Sequence, residues 1–292
     1  MFTYYRKIAT KLFGWLPKRY PGITKILKST LPKSGIIISA NNYISSVFFT
    51  VFIVYFLSLI TVIILHTTVL EFNIFLMILS IIFIPLITSL VMFILGIFYP
   101  FQKAMSRGRS IDTNLPFAIA HMGAIAASGI PPSAIFKLLS GFKEYDVLSE
   151  EMEKIVRNIE SFGLDPLSSM KEVAKRTPSE KFKQLLFGLV STIEGGGDLK
   201  TYLKNAGEQS LFTWRMRREK YLQQLSAYAE FYTGLLIAAP LFIISLFSVM
   251  YMIQPELGGF DILQLMKISI YILVPMLNLG FLMFLQATQI EM

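Results

Sequence analysis

Four stretches of the chain, residues 43–65, 74–98, 231–252 and 268–285, are apolar and free of internal charge. Each is long enough to cross a lipid bilayer, which takes about 20 apolar residues. Pro85, Pro240 and Pro275 fall inside three of them, positions a span tolerates when neighbouring groups take up the carbonyls a proline leaves free. Between the second and third stretches the pattern changes to helical spacing. Leu148, Met152, Ile155, Val156 and Ile159 form one apolar stripe, and Phe182, Leu185, Leu186, Leu189, Val190 and Ile193 form another, with charges on the opposite faces. Nothing there alternates with period two. The expectation is an all-α integral membrane protein with four transmembrane helices and a cytoplasmic six-helix bundle between spans two and three. The six helices are predicted over about 112–128, 132–141, 146–162, 166–176, 179–194 and 198–229. The last of them is expected to run on into the third span.

Glycines mark the turns between these helices. Gly129, Gly163 and Gly197 stand 34 residues apart, and each can adopt the left-handed conformation that ends a helix. Asp165-Pro166 reads as an N-cap followed by proline at the first helical position. A period of 34 also fits a tetratricopeptide array, but the Trp, Gly-Tyr, Ala and Phe positions of that repeat are not visible.

Composition agrees with a membrane protein: 54% of the 292 residues are hydrophobic, the mean hydropathy is +0.58 and the net charge is +8. With no cysteine, disulfides, thiol nucleophiles and thiolate metal sites are excluded, and the redox compartment is left unread. The amino-terminal stretch lacks a continuous apolar core and a small-residue cleavage site, so no cleavable signal peptide is expected. Residues 1–42 hold eight Lys and Arg and no acid, whereas the connections 66–73 and 254–266 hold Glu71, Glu256 and Asp261 and no Lys or Arg before Lys267. The positive-inside rule therefore puts both connections outside, and the amino terminus, the middle segment and the tail in the cytoplasm of a multi-pass cell-membrane protein. The organisation expected is a basic interfacial segment (1–42), a span pair (43–98), a helical domain (99–230), a second span pair (231–285) and a short tail (286–292). Phe2, Tyr5, Leu12, Phe13, Trp15 and Leu16 among the basic residues suit a helix lying in the headgroup plane; a partner-binding arm is the alternative.

Candidate chemistry is sparse. Glu194-Gly195-Gly196-Gly197-Asp198 contains a G-x-G-D pattern also found around an active-site aspartate of intramembrane aspartyl proteases. That chemistry needs two carboxylates sharing a proton within the membrane, and no span carries one. Nor is this a phosphate loop, since Asp198 puts an anion where the phosphate would sit. The reading that remains is structural: glycines end one helix and Asp198 caps the next. His66 and His121 are the only histidines and lie in no zinc-binding pattern; no enzyme, metal or cofactor is expected. Over residues 100–229, 18 Lys and Arg are offset by 14 Asp and Glu without an aromatic–basic stacking motif, so nucleic acid is not an expected partner.

The runs 111–139 and 189–209 resemble the type II secretion system F domain, and the resemblance extends over about residues 100–285. Its signals are Leu115-Pro116 opening the first helix, a small-residue turn at Ser128-Gly129 followed by Pro131, and the Gly-rich break with its acidic cap at Glu194–Asp198. That domain occurs in inner-membrane platform proteins of type II secretion, type IV pili, tight-adherence pili and the archaellum. Many carry two copies; this chain carries one, as the tight-adherence type does. The resemblance implies a non-enzymatic platform coupling a cytoplasmic secretion ATPase to the assembly of pilin-like subunits, as a homo-oligomer or with a paralogous subunit. Under it, Arg215, Arg217, Arg218 and Lys220 are candidates for touching either the ATPase or anionic lipid headgroups. Pro275 and Asn278 mark a face that meets a partner helix within the membrane or forms a kink with Asn278 bonded to a freed carbonyl. The other reading of the whole chain is a small transporter or channel with a helical regulatory domain, against which stands the absence of buried charge and matched broken helices in the spans.

Overall fold

The computed structural model describes residues 2–19, 21–68 and 74–288. Most of the connection 66–73 and the end of the tail 286–292 lie outside them. Three short helices, α1 (Phe2–Phe13), α2 (Leu16–Arg19) and α3 (Pro21–Lys33), precede the long α4 (Ala40–Thr68) and α5 (Ile74–Ala126). The middle segment continues with α6 (Pro132–Ser140), a 3₁₀ turn at Lys143–Tyr145, α7 (Val147–Glu160), α8 (Pro166–Arg176), α9 (Glu180–Glu194) and α10 (Leu199–Tyr232). A π-helical turn (Thr233–Ala238), α11 (Ala239–Ile253), α12 (Ile262–Ile268), a second π turn (Ser269–Leu273) and α13 (Val274–Thr288) complete the chain. Four helical runs among the described residues are long and apolar enough to span a membrane: Ala40–Thr67, Met77–Ala126, Leu199–Ile253 and Ile262–Thr288. The fold is all-α apart from a two-residue antiparallel bridge pairing Glu256 with Asp261 and Leu257 with Phe260. Gly258 and Gly259, with φ of 59° and 86°, make its turn, as a type I′ hairpin requires. The connection 254–266 is thus partly ordered, with the Asp261 carboxylate accepting the Leu263 N–H at 3.0 Å to start α12.

The molecule divides into two compact units, one ending at Glu208 and the other starting at Gln209. In the first, α4 and α5 form an antiparallel hairpin. Tyr43 donates its hydroxyl to the Gly96 carbonyl at 2.7 Å, Thr88 donates to Ser58 Oγ at 3.1 Å, and a Cβ on Gly96 would lie 2.8 Å from Val47 Cγ1. Glycine there lets the two helices approach. The basic amino-terminal segment packs on this hairpin. Tyr5 lies tilted against Phe49 and bonds Thr50 Oγ1 at 2.6 Å, Phe13 meets Phe52, and Leu27 and Leu31 are buried with Ala40 and Ile44.

One prediction fails here. No separate helix begins near residue 112; those residues are the last turns of α5, which passes through Pro85, Pro100 and Pro116 without ending. Pro116 therefore lies inside a helix rather than opening one. A proline forfeits one backbone bond and clashes with the turn before it, but Ile111, Leu115, Ala118, Ile119 and Met122 are all buried on one face of that segment. Burial of that face outweighs the local penalty, about 25 cal/mol for each Å² of apolar surface. The same core takes Phe136 and Leu139 from α6, Met152 and Ile155 from α7, Met170 from α8, Phe182 and Leu186 from α9, and Leu203 from α10.

In the second unit, the end of α10 packs on α13 through Tyr228 with Phe284 and Tyr232 with Phe281, ring centroids 5.7 and 5.4 Å apart. Each π turn immediately precedes a helix carrying a proline. The Ala239 N–H reaches back to the Gly234 carbonyl ahead of Pro240, and the Val274 N–H to the Ser269 carbonyl ahead of Pro275. A turn widened by one residue makes room for a proline inside an otherwise continuous helix.

Candidate functional site

The turns of the middle segment are built from the residues that the chain's punctuation marked, with one shift. Gly129 and Gly163 have φ of 75° and 65°. At Gly163 the N–H of Leu164 returns to the Asn158 carbonyl at 3.1 Å and that of Gly163 to the Ile159 carbonyl at 3.1 Å, closing the helix end through the left-handed glycine. Pro131 precedes α6 in an extended conformation with Pro132 at the first helical position. Asp165 caps α8, accepting the Leu167 and Ser168 N–H groups at 3.1 and 3.2 Å. In the glycine triplet, however, the left-handed residue is Gly196, at φ 69°, not Gly197. Gly197 donates its N–H to the Thr192 carbonyl at 2.8 Å, and a Cβ on it would lie 3.0 Å from Thr192 Cγ2. The even spacing of 34 therefore does not hold at the backbone, since the closure is set by where α9 stops. Glu194, the last residue of α9, is ion-paired with Lys171 of α8 at 2.6 Å.

Asp198 is an N-cap. Its carboxylate accepts the Lys200 and Thr201 N–H groups at 3.1 and 3.2 Å and the Thr201 hydroxyl at 2.5 Å. The Thr201 hydroxyl, ahead of the two N–H groups and the nearby Lys200 charge, holds this exposed carboxyl below the ordinary carboxylate range. A lowered carboxyl stabilises the folded state above its unfolded pKa, and that contribution disappears as pH falls through the folded value. The protection factors of the first-turn amides of α10 are thus expected to fall below about pH 4, where free Asp side chains protonate. Asp198→Asn keeps a capping oxygen and should remove that acid dependence; an unchanged acid response in the variant would refute the assignment.

Arg215, Arg217, Arg218 and Lys220 are all exposed on α10, and no ion pair holds any of them among the described residues. Asn278 donates its side-chain amide to the Val274 carbonyl at 2.9 Å. That carbonyl lies four residues back in the same helix, on the residue immediately before Pro275. Beside them an apolar groove of about 580 Å³ runs between the two π turns of this unit, lined by Phe231, Leu235, Ile272, Met276, Gly280 and Phe281. No group of three or more His, Asp or Glu able to hold a metal occurs among the described residues.

Sequence reasoning missed one cluster, in which Arg107 of α5 meets Glu150 and Glu151 of α7 at 2.8 and 3.3 Å. A signal for it existed: Glu151 interrupts the apolar stripe between Leu148 and Met152, and a carboxylate on a core-facing position needs a cationic partner.

These features define a multi-pass membrane protein with a capped helical domain. Residues 118–247 match the family described as type II secretion system (T2SS), protein F. Among curated proteins, an uncharacterized protein of Methanocaldococcus jannaschii is 27% identical over 194 residues, covering 65% of this chain and 33% of its own length. The flagella accessory protein J of Methanococcus voltae is 27% identical over 192 residues, 64% of this chain and 33% of that protein. Its namesake in Methanocaldococcus jannaschii is 24% identical over 164 residues, 56% and 29% of the two chains. The aligned regions thus span about a third of each relative. No solved structure matches.

Proposed function

We propose that the chain is a non-enzymatic membrane platform coupling a cytoplasmic secretion ATPase to the assembly of pilin-like subunits into a type IV pilus-like or archaellum-like filament. The observation that carries this reading is the family match over residues 118–247, which begins inside α5 and ends inside α11 and so takes in most of the helical domain and most of the third span. In this reading residues 99–230 are the cytoplasmic domain, with the amino terminus and tail on the same side as the excess of Lys and Arg requires. Arg215, Arg217, Arg218 and Lys220 meet the ATPase or the adjoining lipid surface, and Pro275 and Asn278 mark the face turned to a pilin-like helix or to a second platform subunit.

The test is co-purification of the detergent-solubilised full chain with the ATPases of the host's pilus and archaellum machineries. The wild type is expected to retain one of them, and the doubly changed Gly197→Pro/Asp198→Lys chain to lose it. A fourfold Gln replacement at Arg215, Arg217, Arg218 and Lys220 separates the roles of the patch: retention unchanged assigns it to lipid. A well-folded wild type that retains none of the ATPases would sink the reading.

A further inference from the structure

A second groove, of about 620 Å³, lies wholly within the first unit, between the loop that joins α3 to α4 and the faces of α5, α7 and α8. Its floor is Arg107, whose side chain is 14% exposed and whose guanidinium bonds Glu150 and the 2%-exposed Glu151. Gly35, at φ 73°, lays its backbone on that guanidinium, where a Cβ would stand 3.2 Å from Cζ. The Arg107 Nε is buried with no acceptor. Lys154 pairs with Glu151 at 2.6 Å and Arg176 with Glu172 at 2.9 Å. Arg157 also lines the groove, is exposed, and has no ion-pair partner among the described residues. The lining carries Arg107, Lys154, Arg157 and Arg176 against Glu150, Glu151 and Glu172, so one monovalent anion would balance it.

The groove also sits at a particular depth. The bond from Tyr43 to Gly96 sets the ends of the first two spans level with each other. A helical rise of about 1.5 Å per residue then puts Arg107 about 12 Å beyond Tyr99, a few Å outside the polar layer of about 5–8 Å that flanks the hydrocarbon on each side. On its rim stands Ile37, 98% exposed, three residues before α4 begins. A fully exposed isoleucine gains by entering an apolar phase, and the nearest one to the foot of a membrane span is the acyl-chain boundary. Cations round a cavity, an apolar tip at its rim and a position beside the bilayer make a phosphate-bearing amphiphile the fitting ligand.

We propose that this groove binds the headgroup of an anionic phospholipid, with the phosphate at Arg157 and Ile37 turned to the membrane surface. The proposal rests on the span assignment alone and is independent of the platform reading. Because the chain contains no cysteine, Ser39→Cys on the groove wall provides a single attachment point for a bimane fluorophore. The labelled full chain is reconstituted in phosphatidylcholine vesicles containing equal small fractions of doxyl-labelled phosphatidylglycerol or doxyl-labelled phosphatidylcholine. Phosphatidylglycerol should quench in marked preference to phosphatidylcholine. Arg157→Gln should weaken that preference about fivefold, the weight of one basic charge at an anionic surface, with the melting temperature unchanged. Equal quenching by the two lipids, or a preference unaltered by Arg157→Gln, would overturn the proposal. Loss of the preference on adding millimolar inorganic phosphate would assign the site to a soluble anion and overturn the lipid source.

Discussion

Phe182→Ala lowers the stability of the first unit by about 3–5 kcal/mol, the range for emptying a buried aromatic site. Phe182 opens α9, is 0% exposed, and stands in the one cluster that takes residues from α5 through α10. Its backbone N–H is held by the Ser179 hydroxyl oxygen at 3.0 Å, and Ser179 in turn donates to Asp112 of α5. That anchorage prevents the helix end from collapsing into the space left by the ring, so relaxation should recover little of the loss. Phe162, also in the middle segment but 68% exposed, is the control, and Phe162→Ala should melt with the wild type. The measurement is urea-dependent proteolysis of the detergent-solubilised full chain, cleavage being read in α6–α9. Coincident midpoints for Phe182→Ala and the wild type would show that the core is not packed as described.

Gly207→Leu comes next, with a net loss of about 2 kcal/mol. Where α5 and the start of α10 meet, glycines stand on both sides: a Cβ at Gly123 would lie 3.4 Å from the Leu203 backbone, and one at Gly207 would lie 3.2 Å from the Ala120 Cα. The atoms in the way are backbone, which cannot rotate aside as a side chain can. Forcing extra carbons into a filled contact costs about 1–3 kcal/mol, and a leucine should fall at the upper end. Replacing glycine in a helix returns about 1 kcal/mol of propensity, hence the net figure. Gly207→Ala, with a single added carbon at that distance, sets the same propensity gain against a mild clash and should be close to neutral. Both variants are read by the same proteolysis series; a Gly207→Leu chain as stable as the wild type would mean that the two helices are not in backbone contact.

How much of this was legible beforehand depends on the range of the interaction involved. The four apolar spans, the amphipathic stripes of α7 and α9, and the Asp165 and Asp198 caps are each decided within a few residues of sequence, and a reader of the chain finds them. The boundary near residue 112 was misplaced because Pro116 is a helix breaker only by local rules, and the burial of Ile111, Leu115 and Ile119 overrides them. The left-handed turn fell on Gly196 and not Gly197, since three consecutive glycines are locally equivalent and only the closure onto Thr192 and Ile193 distinguishes them. The charged groove was not seen at all, although Glu151 in an apolar stripe hinted at it, because Gly35, Arg107, Glu151 and Arg176 lie on one loop and three different helices, with successive separations of 72, 44 and 25 residues.

By itself, then, the sequence determined a membrane protein with four spans, a helical domain between the second and third, and the charge bias of its loops, because apolar length, helical period and charge are summed locally and are already present in the unfolded chain. Only the tertiary structure decided that α5 continues through its prolines, that the amino-terminal helices close on the first hairpin, and that Arg107 gathers carboxylates and cations from distant helices into one groove. Those outcomes depend on which surfaces are removed from water together, and burial is a property of the assembled fold.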